Sequence, residues 1–201
     1  MLAAAHAGHL PALRTMIRAA AAEGSFDREL AVEDSPEVRL FFANLRQALL
    51  TGHFIEQDSS GDGHPVAAPG YVYWPDGQRD DEHPVGFGVF KGFADFGFEL
   101  WMTGIDSAAR GAGHGRRMLA ALLGTPAGKL AWTVRVQRDS ASSAIMTHLL
   151  AAHGYAVARQ GQTQAWFLRQ DAPAALVERM RAARIVTRPA ANDRSQDPPR
   201  R

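Results

Sequence analysis

Six residues, Arg110-Gly111-Ala112-Gly113-His114-Gly115, follow the apolar stretch from Phe98 to Ile105 and lead into a helical pattern over Arg116 to Leu123. Strand, glycine loop and helix in that order make an anion site. The glycines let the chain turn sharply and let an anion approach the main chain. The first N–H groups of the helix lack intrahelical partners and carry the positive end of its dipole. Arg116 and Arg117 oppose that dipole in a first turn, and with Arg110 at the loop entrance they point to an external negative charge such as a pyrophosphate. On the loop alone, a solvated glycine turn is the alternative. A Walker loop needs Gly-Lys-Ser/Thr where this chain has Gly115-Arg116-Arg117. The dinucleotide fingerprint needs a glycine at position 116 and a βαβ unit.

The second chemically informative residue is Glu99, a carboxylate inside the apolar strand Phe98-Glu99-Leu100-Trp101-Met102. Burial there would raise its pKa toward useful basicity, while strand alternation leaves an edge or solvent-facing glutamate as the alternative. Gly104 is unusual within a strand and marks either a bulge or close backbone approach, or the strand's end before Asp106. The pairs His6/His9 and His148/His153 have no third ligand in sight, so no metal is expected. The chain has no cysteine, so it has no disulfide, no thiolate nucleophile and no cysteine zinc site.

The elements that must position these residues are legible in outline. Leu10, Leu13 and Ile17 recur at helical spacing behind Pro11 until Gly24. Ser35-Pro36 caps a second helix whose face is Val38, Phe41, Phe42, Leu45 and Leu49, ending near Gly52. From Glu56 to Gly70 the composition reads as a loop. Tyr71 to Trp74, Val85 to Phe90 and Phe98 to Ile105 form a three-strand meander punctuated by Pro75-Asp76-Gly77 and Lys91-Gly92. After the loop and its helix (Met118, Leu119, Leu122, Leu123) come a strand over Leu130 to Val136 and a helix capped by Asp139 or Ser140. That helix has the stripe Ile145, Met146, Leu149 and Leu150 and stops at Gly154. Strands over Tyr155 to Ala158 and Ala165 to Leu168 close the series.

This order and the loop resemble the GNAT superfamily of acetyl-CoA-dependent N-acyltransferases, whose pyrophosphate loop reads Gln/Arg-x-x-Gly-x-Gly/Ala; Arg110, Gly113 and Gly115 match it. The resemblance covers roughly residues 10 to 170. It implies an α+β fold with a mixed, mostly antiparallel central sheet flanked by helices. A first strand before helix one is not obvious, so the chain either lacks it or forms it from its first few residues. By the same resemblance, acetyl-CoA is the co-substrate. Arg110, Gly111, Ala112, Gly113, His114, Gly115 and Arg116 hold its pyrophosphate, and Thr103, Gly104 and Ile105 lie along the pantetheine arm. Glu99 is the general base, because a glutamate in the histone acetyltransferase branch stands eleven residues before the loop motif, as Glu99 does before Arg110. Aligning Gly154-Tyr155 with the family's Gly-Phe pair puts Ser143 at the position of a cofactor-binding Asn and Leu150 at that of the acid Tyr. The usual acid is therefore missing, with His148, Tyr155 or a water as substitutes.

At 201 residues, 46% hydrophobic and a net charge of +1, the chain fits one globular domain over 1–172, followed by a helix over Ala174 to Ile185 and a tail from Pro189 with a disordered composition. Residues 179–201 carry a local +5 and lack interleaved aromatics, so a solvated tail is expected rather than specific nucleic-acid binding. No transmembrane or secretory segment is indicated, which makes the cytoplasm the expected location. The expected partner is a small-molecule or peptide amine, with a homodimer allowed. Two acidic loops, Glu56/Asp58/Asp62 and Asp76/Asp80/Asp81/Glu82, would attract a cationic acceptor if they rim its cleft, and are otherwise solvated turns. A catalytically weak acyl-CoA-binding module engaging a protein or nucleic-acid partner is the alternative function.

Overall fold

The computed structural model of the protein describes residues 1–32, 35–57, 60–75, 80, 83–93 and 96–182. The basic tail, and Asp58, Asp76, Asp81 and Glu82 of the acidic loops, lie outside the described residues.

Two amphipathic helices lead the chain. In α1 (Leu10–Ala22) the stripe Leu13, Met16, Ile17, Ala20 and Ala21 is buried, with Pro11 in the first turn, where the missing N–H costs nothing. In α2 (Pro36–Thr51) the Ser35 hydroxyl accepts from the Val38 N–H at 3.1 Å, the side-chain cap that Ser-Pro foreshadows. The first strand, β1 (Leu2–Ala4), does form from the N-terminal residues and pairs antiparallel with β4 (Gly70–Tyr73). The meander continues through β5 (Gly86–Gly92) and β6 (Phe98–Ile105), each pair antiparallel.

After the glycine loop come α3 (His114–Gly124), the single turn α4 (Pro126–Lys129), β7 (Ala131–Gln137), α5 (Ser143–Ala152), β8 (Tyr155–Gln160) and β9 (Gln164–Arg169). The sheet order is β1-β4-β5-β6-β7-β9-β8, and only β6 and β7 run parallel. This is the mixed, mostly antiparallel sheet expected. Helices α1 and α2 cover one face of its first half through Val72, Trp74, Phe87, Val89 and Met102. The other face packs Phe90, Leu100, Val134, Val136 and Phe167 against Met118, Leu119 and Leu122 of α3 and Leu150 of α5. Each such buried leucine contributes on the order of 2–5 kcal/mol by the cost of truncating it to alanine.

Three details differ from the sequence reading. Glu56 to Gly70 is not all loop: β2 (His53–Gln57) and β3 (Gly63–Ala67) form a separate antiparallel hairpin, anchored by Phe54 and Ala68 against Ala48. Neither Asp139 nor Ser140 occupies the N-cap of α5. Ser142 does, while the Ser140 hydroxyl donates to the Gln137 carbonyl. The four-residue stripe of α5 is only partly buried, with Leu150 at 0% exposure and Ile145 at 63%. Beyond the sheet, α6 (Ala174–Ala182) docks through the fully buried Leu176, and Arg179 lies 5.6 Å from the Phe93 ring.

Candidate active site

Strands β6 and β7 pair only at Phe98↔Ala131, Glu99↔Thr133 and Leu100↔Val134, and beyond Leu100 they part. The cause is local. A bulge opposite Val89 and Phe90 inserts Trp101 into β6, so the strand turns away from β7, and Trp101 swings onto the α2 side, where it stacks on Phe54 (5.3 Å, 24°) beside Phe41. The edge of β6 facing β7 is left without a strand partner from Trp101 onward. A cleft of about 150 Å³ occupies the gap, with Leu100 to Thr103 as one wall and Val134 to Gln137 as the other, and with Phe26, Leu30 and Phe41 closing it from the helical side.

Thr103 lines this cleft, although its hydroxyl donates to the Phe87 carbonyl at 3.1 Å. Gly104 has a packing reason for lacking a side chain: a Cβ there would come within 2.8 Å of the Phe87 ring. Of the readings open for Gly104 the structure shows a close approach, and the bulge of β6 lies at Trp101, three residues earlier. Ile105 ends β6 and leads to Asp106, whose carboxylate accepts from the Ala108 N–H at 2.9 Å and starts the short turn into the glycine loop.

The loop has the shape that an anion needs. Gly111 and Gly113 adopt φ of +83° and +74°, a region that favours glycine, and Gly113 is the N-cap of α3. The N–H groups of Gly111, Ala112 and Gly113 meet no carbonyl among the described residues, and those of His114, Gly115 and Arg116 belong to the first helical turn, where none is supplied by the helix. Arg116 is exposed. Arg117 instead folds back, donating to the Ala112 carbonyl at 3.0 Å, with its guanidinium 2.9 Å from His114 Nδ1. Arg110 is held by the Glu23 carboxylate at 2.6 Å.

Glu99 is 5% exposed, as its apolar strand implied, but it is not alone. Arg135, next to its pairing partner Thr133, donates from Nε to Oε1 at 2.5 Å and from Nη2 to Oε2 at 3.4 Å. Arg135 lines the cleft and Glu99 sits behind it. No sequence signal joins residues 36 apart on parallel strands, so this counter-charge was not foreseen. Ser143 opens α5, with its N–H donating to Ser140 O at 3.0 Å, and stands outside the lining. Ser140 and Ser142 line the cleft instead. The Ser142 hydroxyl lies 2.9 Å from that of Ser25 and 3.3 Å from that of Ser140, a hydroxyl chain across the cleft mouth.

Two of the substitutes for the missing acid fall away. Tyr155 donates its buried hydroxyl to Ala131 O at the closed end of β7, and burial pushes its phenol up to about 12 despite the nearby Arg169. His148 is exposed on α5 and is not part of the cleft lining. Leu150, at the position of the usual tyrosine, is fully buried in the core. None of the described residues of the acidic loops lines the cleft. Among the described residues Glu56 pairs with Lys91 at 2.5 Å and lines a different depression. Asp62 and Asp80 are absent from the lining, while Asp27, between α1 and α2, is present in it. Among the described residues no cluster of histidine and carboxylate groups could hold a metal, and no helix is long and apolar enough to cross a membrane.

No family model matches this sequence, and no curated protein matches it. Its fold is similar to several solved structures. A ribosomal-protein-alanine N-acetyltransferase from Brucella melitensis is 20% identical, with 83% of this chain and 97% of that one covered and a TM-score of 0.53. An acetyltransferase from Thermus thermophilus is 15% identical (84% and 96% covered, TM-score 0.53). An N-acetyltransferase from Thermoplasma acidophilum in complex with coenzyme A is 12% identical (84% and 97% covered, TM-score 0.53). The match over nearly the whole of those chains, with the mixed sheet and helix arrangement described above, gives this protein the fold of the GNAT acetyltransferase superfamily.

Proposed function

We propose that the protein is an acetyl-CoA-dependent N-acetyltransferase that passes the acetyl group directly to a primary amine. The observation that carries this reading is that β6 bears both features: from Trp101 onward its edge has no strand partner and can pair with an amide-bearing arm, and its end at Ile105 leads through a short turn into the glycine loop, whose main-chain N–H groups at the start of α3 can take a pyrophosphate. Arg110, Gly111, Ala112, Gly113, His114, Gly115 and Arg116 would hold the phosphates, and Thr103, Gly104 and Ile105 the pantetheine.

In the transfer, the ammonium of the acceptor loses a proton, its nitrogen attacks the thioester carbonyl, and the C–S bond breaks as the C–N bond forms. The second proton of the nitrogen is lost to solvent, and the coenzyme A thiolate takes one up. We assign the first proton to Glu99, acting through water because Arg135 stands between its carboxylate and the cleft. A main-chain N–H of the splayed strand would polarise the carbonyl. With Leu150 buried, the Ser142 hydroxyl, backed by Ser25 and Ser140, is the group at the cleft mouth able to hydrogen-bond the departing thiolate.

The second reading, an acyl-CoA-binding module with little catalysis, is favoured by the loss of the tyrosine position to the core and by the engagement of Glu99 with Arg135. A screen of amines with acetyl-CoA, following free coenzyme A and N-acetyl product together, separates the two. Equal amounts of both products support transfer. Saturable acetyl-CoA binding without product from any amine supports the module.

A further inference from the structure

The cleft lining carries one cation, Arg135, and one accessible anion, Asp27, which is bonded to Gln137 two residues along β7 from Arg135, and both have hydrogen-bonding capacity to spare. Arg135, on β7, has five N–H donors. Glu99 takes the Nε–H and one from Nη2, and the Nη1 edge meets no acceptor among the described residues, while the side chain remains 35% exposed in the cleft. An arginine serving only to neutralise Glu99 would have no reason to turn a free edge to the cleft. Asp27 faces it from the segment between α1 and α2. Its Oδ1 accepts from Gln137 Nε2 at 3.0 Å, and its Oδ2 has no partner among the described residues. Phe26, Leu30, Phe41, Trp101 and Met102 give the same cleft its apolar lining.

A ligand complementary to this set has a carboxylate for the planar guanidinium fork, an ammonium for the Asp27 carboxylate, and an apolar body. We propose that the acceptor is a small amino carboxylate, an α-amino acid with an apolar side chain, whose carboxylate docks on the free edge of Arg135. This rests on the acetyl-transfer reading above and deepens it. A polyamine lacks the anion, and the terminal amine of a peptide has an amide where an amino acid has its carboxylate, so neither satisfies Arg135. With the carboxylate on Arg135, the amine is held within the same cleft, beside the unpaired β6 edge where the thioester would lie and in reach of water next to Glu99.

The test compares each acid with its decarboxylated amine. Binding of phenylalanine and 2-phenylethylamine, and of methionine and 3-(methylthio)propylamine, is measured by calorimetry on the full chain saturated with coenzyme A, alongside kcat/KM with acetyl-CoA. The wild type is expected to favour the acids by about ten-fold or more, the worth of a charge-assisted hydrogen bond. Arg135→Lys keeps a cation beside Glu99 but loses the fork, and should bring each ratio to within about three-fold with coenzyme A affinity unchanged. Equal or tighter binding of the decarboxylated amines, stronger binding of spermidine or of a peptide amide, or a preference that survives in Arg135→Lys overturns the inference. Failure of the protein to bind coenzyme A defeats the function reading itself, a separate and distinguishable result.

Discussion

Glu23, just past the end of α1, holds Arg110 at 2.6 Å, so the first residue of the glycine-loop motif is already paired across a separation of 87 residues. Both side chains are more than a third exposed, and such a pair is worth no more than about 1 kcal/mol. If the phosphates of acetyl-CoA come to Arg110, they must share or displace this carboxylate, and the like charge of Glu23 opposes them.

Glu23→Gln is therefore expected to tighten coenzyme A binding about two- to five-fold while changing stability by less than about 1 kcal/mol. Calorimetry at low salt and denaturant unfolding check the two halves. Unchanged or weaker affinity would show that Arg110 does not contact the phosphates.

Glu99→Gln should lower kcat/KM for the acceptor by about a hundred-fold, the usual worth of general-base catalysis, and leave coenzyme A affinity intact. Since Arg135 would then lack its counter-charge, intact folding of the variant is checked by its thermal unfolding beside its coenzyme A affinity. Wild-type turnover in the glutamine variant would remove Glu99 from the mechanism.

Tyr155 gives a prediction about stability and pH. Its phenol titrates near 10.0 when unfolded and at about 12 when buried against Ala131, so between those values the folded state holds a proton that the unfolded state has lost. Stability is unaffected by this group below pH 10 and declines by about 2–3 kcal/mol as pH rises to 12. Tyr155→Phe should lose about 1–2 kcal/mol at neutral pH, leaving Ala131 O without its donor, and should lack that part of the alkaline decline. Parallel slopes for the two proteins in urea titrations between pH 9 and 11.5 would contradict it.

How much the sequence reveals depends on the range of the interaction responsible. The helices α1, α2 and α3 and the meander are written in local periodicity and punctuation, as is the glycine loop. The hairpin β2–β3 is hidden because it depends on Phe54 and Ala68 docking on α2, while Asp, Ser, Gly, His and Pro dominate the segment around them. β1 is three residues long, too short for any period, and exists because Leu2 to Ala4 find the edge of β4. Burial of Glu99 was legible from its neighbours, but its partner Arg135 was not, since parallel pairing of β6 with β7 is a property of the sheet. Ser143 is singled out by aligning Gly154-Tyr155 with the family's Gly-Phe pair, a count along the chain that does not say which residue at the start of α5 faces the cleft, and there the lining residue is Ser142.

The glycine loop supplies the last test. Gly113 is the N-cap of α3, a position where Asp is favoured and where Asp and Asn tolerate the observed +74° φ, and a Cβ there would lie 3.4 Å from Arg117 Nη1, so Gly113→Asp should fold. Acetyl-CoA is titrated calorimetrically into the wild type, Gly113→Asp and the near-isosteric Gly113→Asn. If the phosphates sit on the N–H groups of Gly111 to Arg116, the wild type binds with one site, Asn weakens binding modestly, and Asp weakens it at least about ten-fold further through charge repulsion. Equal affinity across the three folded proteins, or no binding by the wild type, would contradict the assignment of this glycine loop to acetyl-CoA.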